Sequence, residues 1–134
     1  MDTAILRRRV DEHLARARWH RARGRYAEAE HALRAALRLA RGAGGPASAE
    51  SAEAASAEAA SALGVLLEAL GRPAEAEEVL RLAVRLGEGA YGPDDPRLTP
   101  PLNALGAVLH LRGDLTGAER LYQRVVDIVA GRAP

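Results

Sequence analysis

The sequence contains no cysteine, no phenylalanine and no lysine. Without cysteine there is no disulfide framework to staple loops and no thiolate to ligate a metal. With Trp19, Tyr26, Tyr91 and Tyr122 as the only aromatics, a core must be built from Leu, Val and a great deal of Ala. Side chains this small let helices approach closely, so dense helix-on-helix packing is the natural solution. Every basic residue is arginine. Its planar fork suits carboxylate or phosphate, although a GC-rich genome also yields an Ala- and Arg-rich, Lys-free chain. No apolar run approaches the ~20 residues a membrane span needs. The opening Met1–Arg9 puts charge straight after Ile5-Leu6 and lacks a signal-peptide core. A cytoplasmic protein away from the membrane is expected.

What the chain does have is repetition. Three times a glycine is followed five residues later by Ala-Glu: Gly24 with Ala29-Glu30, Gly71 with Ala76-Glu77, and Gly113 with Ala118-Glu119. The glycines lie 47 and then 42 residues apart, and each joins two stretches of helical apolar spacing. Repetition at this period predicts a solenoid of helical hairpins acting as a binding scaffold, because one hairpin cannot bury its apolar face alone. The 134 residues suffice for a single domain with a continuous core.

The spacing predicts six helices and no strand, in hairpins over about 3–41, 48–88 and 97–131. Ile5, Leu6, Val10, Leu14 and Ala17 mark the inner stripe of the first helix. Tyr26, Ala29, Leu33, Ala36, Leu37 and Leu39 mark the second. After the break at Gly42–Pro46, a loop to about residue 48 leads into a helix whose Ala/Ser/Glu opening frays. It firms up through Leu63, Leu66, Leu67 and Leu70. Pro73 sits in the first turn of the fourth helix, which runs through Ala76, Leu80, Ala83, Val84 and Leu86 to about Gly87. Pro100 and Pro101 cannot both lie deep inside a helix, so Thr99 is expected as an N-cap with Pro100 first inside. That fifth helix carries Leu102, Leu105, Gly106 and Leu109 to Arg112. The sixth carries Leu115, Ala118, Leu121, Tyr122, Val125 and Val126 to near Gly131.

Ala17, Gly64 and Gly106 each stand seven residues before a turn glycine. With Ala29, Ala76 and Ala118 starting the second-helix faces, this pattern resembles the tetratricopeptide repeat family, in the 42-residue form known from kinesin light chains. Gly92-Pro93-Asp94-Asp95-Pro96 followed by Leu102-Asn103-Ala104-Leu105 is similar to that form's signature. The resemblance covers about residues 10–130 and implies an all-α, right-handed α-solenoid of three helix-turn-helix hairpins. A plain helical bundle is the alternative. The first copy departs from the pattern at His13, Arg16 and His20, where the family has large apolar residues. Its first helix is therefore expected to be rotated or to act as an atypical end cap.

The resemblance also implies a concave groove, lined by the first helix of each hairpin, that holds a peptide or protein segment. Carried across, its positions are Asp11, Leu14, Arg18 and Arg21, then Glu58, Ser61, Val65 and Glu68, then Asn103, Ala107 and His110. Arg18, Arg21, Glu58 and Glu68 would set charge preference, and Asn103 would both donate to and accept from a peptide backbone. The carboxylate clamp of one subclass would fall on Leu14, Arg18, Ala62, Pro100 and Ala104. A single cation remains there, so no such clamp is expected.

Charge is uneven. Residues 1–41 hold eleven arginines against five acids (+6), and residues 42–134 hold eight against thirteen (−5). The early arginines (Arg7, Arg8, Arg9, Arg16, Arg18, Arg21, Arg23 and Arg25) wrap around their helix with no aromatic platform beyond Trp19. That disfavours nucleic acid. Trp19 itself is expected to pack between helices. His13 and His20 are two helical turns apart, too far for one metal, and His31 and His110 belong to other helices. Asp94-Asp95 reads as a turn or cap. No nucleophile motif or phosphate loop is present, so no enzyme activity, cofactor or metal is expected. The apolar Val125, Val126, Ile128 and Val129 suggest a last helix that pairs with another copy or a partner protein. A fragment of a longer array, or an oligomerisation module without a groove ligand, is the alternative.

Overall fold

The repeated glycine is where each hairpin turns. In the computed structural model, which describes residues 2–42 and 49–132 (side chains excepted at 49 and 50), Gly24, Gly71 and Gly113 hold φ of 72°, 73° and 89°. Residues with a β-carbon resist that left-handed conformation. The three turns share one hydrogen-bond pattern. Each glycine N–H donates three residues back: Gly24 to Arg21, Gly71 to Glu68, Gly113 to His110. The following N–H donates five back: Arg25 to His20, Arg72 to Leu67, Asp114 to Leu109. This Schellman closure satisfies carbonyls that a helix end would otherwise leave unpaired.

Six helices result: α1 (Thr3–Ala22), α2 (Tyr26–Arg41), α3 (Ala49–Ala69), α4 (Pro73–Tyr91), α5 (Thr99–Leu111) and α6 (Leu115–Val129). A 3-10 turn at Pro96–Leu98 precedes α5. Each pair packs as a hairpin, α2 packs on α3, α4 packs on α5, and α3 lies beside both α1 and α5. Among the described residues there is no strand, and the architecture is an all-α solenoid.

Close helix contact depends on the small residues. A β-carbon on Gly64 would lie 2.4 Å from Leu80 Cδ2, and one on Gly106 would lie 2.7 Å from Tyr122 Cε1. Ala17 is buried at the corresponding place, as are Ala29, Ala76 and Ala118. The Ala/Ser/Glu stretch forms well-packed helix: Ala52, Ala55, Ala57, Ala59 and Ala60 are buried with Leu63, Leu66 and Leu67. Alanine is what allows α3 to be surrounded by α1, α2, α4 and α5 at once.

Several local expectations are corrected. Ile5, Tyr26 and Leu115 lie exposed rather than on inner faces; of the apolar edge expected on the last helix, Val126 and Val129 are exposed, Val125 is half-buried and Ile128 is buried. The stripe Leu6, Val10, Leu14 and Ala17 fixes which side of α1 is covered, and Ile5 falls off it. Trp19 is exposed too, with the Arg23 guanidinium 3.9 Å from its ring centre. Because Ala17 keeps its contact, α1 is not rotated; Arg16 and Trp19 face outward as an end cap would. His13 is half-buried, and burial, with Arg16 beside it, pushes its imidazole below the ordinary value. Thr99 is the first residue of α5 and not its N-cap, its hydroxyl donating 2.8 Å to the Pro96 carbonyl. The fourth helix continues past Gly87 to Tyr91, since Gly87 supplies room for Leu98. The expected loop beyond Gly42 lies outside the described residues.

Candidate binding groove

One face of α3 is left open. Ala54, Ala57, Glu58, Ser61, Ala62 and Val65 recur at three- and four-residue steps and line a cleft of about 610 Å³. Its floor comes from α4, where Ala83 and Gly87 are small enough to leave space and Tyr91 closes the far side. Arg97, Leu98, Pro100 and Pro101 form one wall, and Arg7 and Arg21 of α1 stand along the other. Fourteen residues of α-helix separate these two arginines, roughly 21 Å.

The walls are held by specific bonds. Tyr91 donates its hydroxyl to the Ala54 carbonyl at 3.2 Å, tying α4 to α3, and burial pushes its phenol pKa up. The Arg97 guanidinium stacks 3.8 Å from the Tyr91 ring centre. It also donates to both Asp95 oxygens at 3.0 Å, while Asp95 Oδ1 accepts the Arg97 backbone N–H at 2.9 Å. The bonds from Arg97 hold the Asp95 carboxyl below its usual range. Asp95 thus caps the 3-10 turn. Across the cleft Arg7 bridges Glu58, and it contacts Asp11 at 3.1 Å. The result is an apolar trough of small side chains with charged groups at its rim. Among the described residues no group of three or more His, Asp or Glu side chains is placed to hold a metal ion.

A family model described as a tetratricopeptide repeat matches residues 55–130, more than half of the chain, and a second of the same description matches 15–47. The chain belongs to the tetratricopeptide repeat family. Both models are of the kinesin light chain-like type. No curated protein matches the chain. Tetratricopeptide repeats generally mediate protein–protein interaction and are typically non-enzymatic. No described helix is long and apolar enough to cross a membrane.

The residues expected on this tetratricopeptide groove divide into three groups. Arg21, Glu58, Ser61 and Val65 line the main cleft. Leu14 and Arg18, with Arg21 again, border a smaller cavity of about 140 Å³ against Ala17, Ala29, Leu33 and Ala62. Leu14 is itself buried there. Asp11, Glu68, Asn103, Ala107 and His110 border neither space; Asp11, Asn103 and His110 are exposed, and Glu68 and Ala107 are half-buried. The sequence reading missed Arg7, Tyr91, Arg97 and the two prolines. A signal for Tyr91 existed in the spacing Ala83, Gly87, Tyr91, a four-residue step on one helix face.

Proposed function

We propose that this chain is a non-enzymatic scaffold that holds an extended segment of a partner protein along α3. The observation that carries this reading is the open trough, with its floor of alanine and glycine and its rim of Arg7, Arg21, Arg97 and Glu58. A span of roughly 21 Å accommodates about six residues at ~3.3 Å per extended residue. Small floor residues would admit alternate side chains, and the rim charges would select among sequences more than they add affinity. Asn103 and His110, exposed on α5, would meet partner residues that flank the trough.

The test is selection of random peptides by phage display, followed by affinity measurement on variants. Ser61→Arg and Ala54→Leu place bulk in the trough and are expected to weaken selected peptides at least tenfold, with helical content unchanged. Peptides that bind these variants as tightly as wild type would place the ligand elsewhere. A second reading, self-association through the last hairpin, is favoured by the exposed Leu111, Leu115, Tyr122, Val126 and Val129.

A further inference from the structure

Internal junctions in this solenoid lay the second helix of one hairpin on the first helix of the next, α2 on α3 and α4 on α5. Two faces carry the same register but have no cover among the described residues. The 42-residue step that separates the last two turn glycines maps Val84 and Gly87 of α4 onto Val126 and Val129 of α6. Val84 and Gly87 are buried, whereas Val126 and Val129 are 48% and 73% exposed. At the other end, the 47-residue step maps Ala52, Ala55, Ala59, Leu63 and Leu66 of α3 onto Ile5, Arg8, Glu12, Arg16 and Trp19 of α1. All five are buried in α3 and all five are exposed in α1.

We propose that these two faces meet between molecules: a second copy of this chain stacks head to tail, its α1 on α6, repeating the α4–α5 junction. The inference rests on reading the apolar α6 face as an interface, and adds which surface covers it. Charge makes the choice. Arg8, Arg16 and Arg23 on the α1 face have no acidic partner among the described residues. Glu119 lies exposed on α6, seven residues before Val126 and so on the same face. Glu77 of α4 pairs with Arg112, at the end of α5, at 3.5 Å across the α4–α5 junction, and the same repeat steps map that pair onto Glu119 and Arg23. Pairing two α6 faces about a two-fold axis would leave Trp19 and its arginines uncovered. Trp and Arg are also the residues that most often anchor interfaces, the arginine stems covering apolar surface while the heads find carboxylates.

Light scattering across a concentration series tests this with wild type, Trp19→Glu, Val126→Arg and an equal mixture of the two variants. Wild type is expected to grow beyond a dimer, because a head-to-tail contact leaves one face free at each end. Each variant alone should weaken association at least tenfold. The mixture should form a heterodimer and stop there, since one variant keeps its α6 face and the other its α1 face. Both positions are exposed, and circular dichroism verifies folding. Glu119→Arg, which removes no apolar contact, should weaken the stack several-fold at low salt and little at high salt. Dimers of Trp19→Glu with none of Val126→Arg would overturn the stacking and leave an α6–α6 interface standing. A wild-type chain that stays monomeric at high concentration would overturn both. So would a monomeric chain whose α1 face captures poly-glutamate or random RNA instead.

Discussion

Gly64 and Gly106 occupy the same place in successive hairpins, yet adding a methyl group to each has different consequences. At Gly64 the new carbon meets Leu80 Cδ2 at 2.4 Å and Cγ at 2.5 Å, and Leu80 is fully buried. Nothing around it can yield, so α3 and α4 must separate. Overpacking of this kind costs about 1–3 kcal/mol, against a helix-propensity gain near ~1 kcal/mol. At Gly106 the obstacle is the Tyr122 ring, which is 37% exposed and can swing towards water. We expect Gly64→Ala to lower the urea midpoint clearly and Gly106→Ala to leave it almost unchanged. Equal losses would mean that the contact partner's freedom does not govern the cost. That these positions must be small was legible in their fixed distance from the turn glycines. How tightly each is held was not, because it depends on a partner sixteen residues on and on what lies behind that partner. Trp19 fails to follow its sequence reading for a related reason. Aromatic size suggested burial, but the covered side of α1 is set by Leu6, Val10, Leu14 and Ala17, and position 19 lies opposite.

Between elements, the first two hairpins are joined by charge as well as packing. Arg72, at the start of α4, forms a bidentate bond to Glu30 of α2 and also binds Glu75, while Arg34 donates to Glu30 at 2.9 Å. The Arg72 bonds, helped by Arg34, hold the Glu30 carboxyl below its ordinary value of 4.5, and Arg72 does the same for Glu75. A carboxylate whose folded pKa is depressed stabilises the fold fully above its unfolded value, and that contribution is lost as pH falls through the folded one. Urea midpoints are therefore expected to be flat above about pH 5 and to decline below it. Glu30→Gln should lower the plateau and flatten the decline. An unchanged decline in that variant would show that the bridge between hairpins contributes nothing. The individual helices were readable from apolar spacing, but this bridge was not: Glu30 and Arg72 are 42 residues apart, and no local pattern links them. Helix ends were the weakest part of the reading. Gly87 looked like a stop, whereas it serves as a packing gap against Leu98 and Tyr91, and the chain leaves the helix at Gly92 with φ of 91°.

For the molecule as a whole, α3 is the hub. Four helices surround it, and its Leu63, Leu66 and Leu67 belong to the main apolar cluster. The last helix is attached differently, with Ala118 in the main cluster and Ile128 in a small satellite with Val84, Leu98 and Leu102. Leu121 and Val125 pack against these clusters from half-buried positions, and Arg124 adds polar ties, reaching Glu88 at 2.7 Å and the Pro93 carbonyl at 3.0 Å. The groove was half legible for the same reason. Sequence placed Glu58, Ser61 and Val65 because they share one face of the hub, but its far wall depends on how α4 and the turn at 96–98 approach it. In a repeat array each unit is stabilised by its neighbours, so an edge helix with one covered side opens before the whole molecule does. Native-state hydrogen exchange should accordingly show amides of Arg124–Ile128 protected at least tenfold less, about 1.4 kcal/mol, than those of Leu63–Leu67. Equal protection across both segments would mean that the array opens as a single unit. Repeating the measurement at rising protein concentration couples this to head-to-tail stacking. Protection should then increase in α6 and α1 together while α3 is unchanged, because only those two helices gain a neighbour.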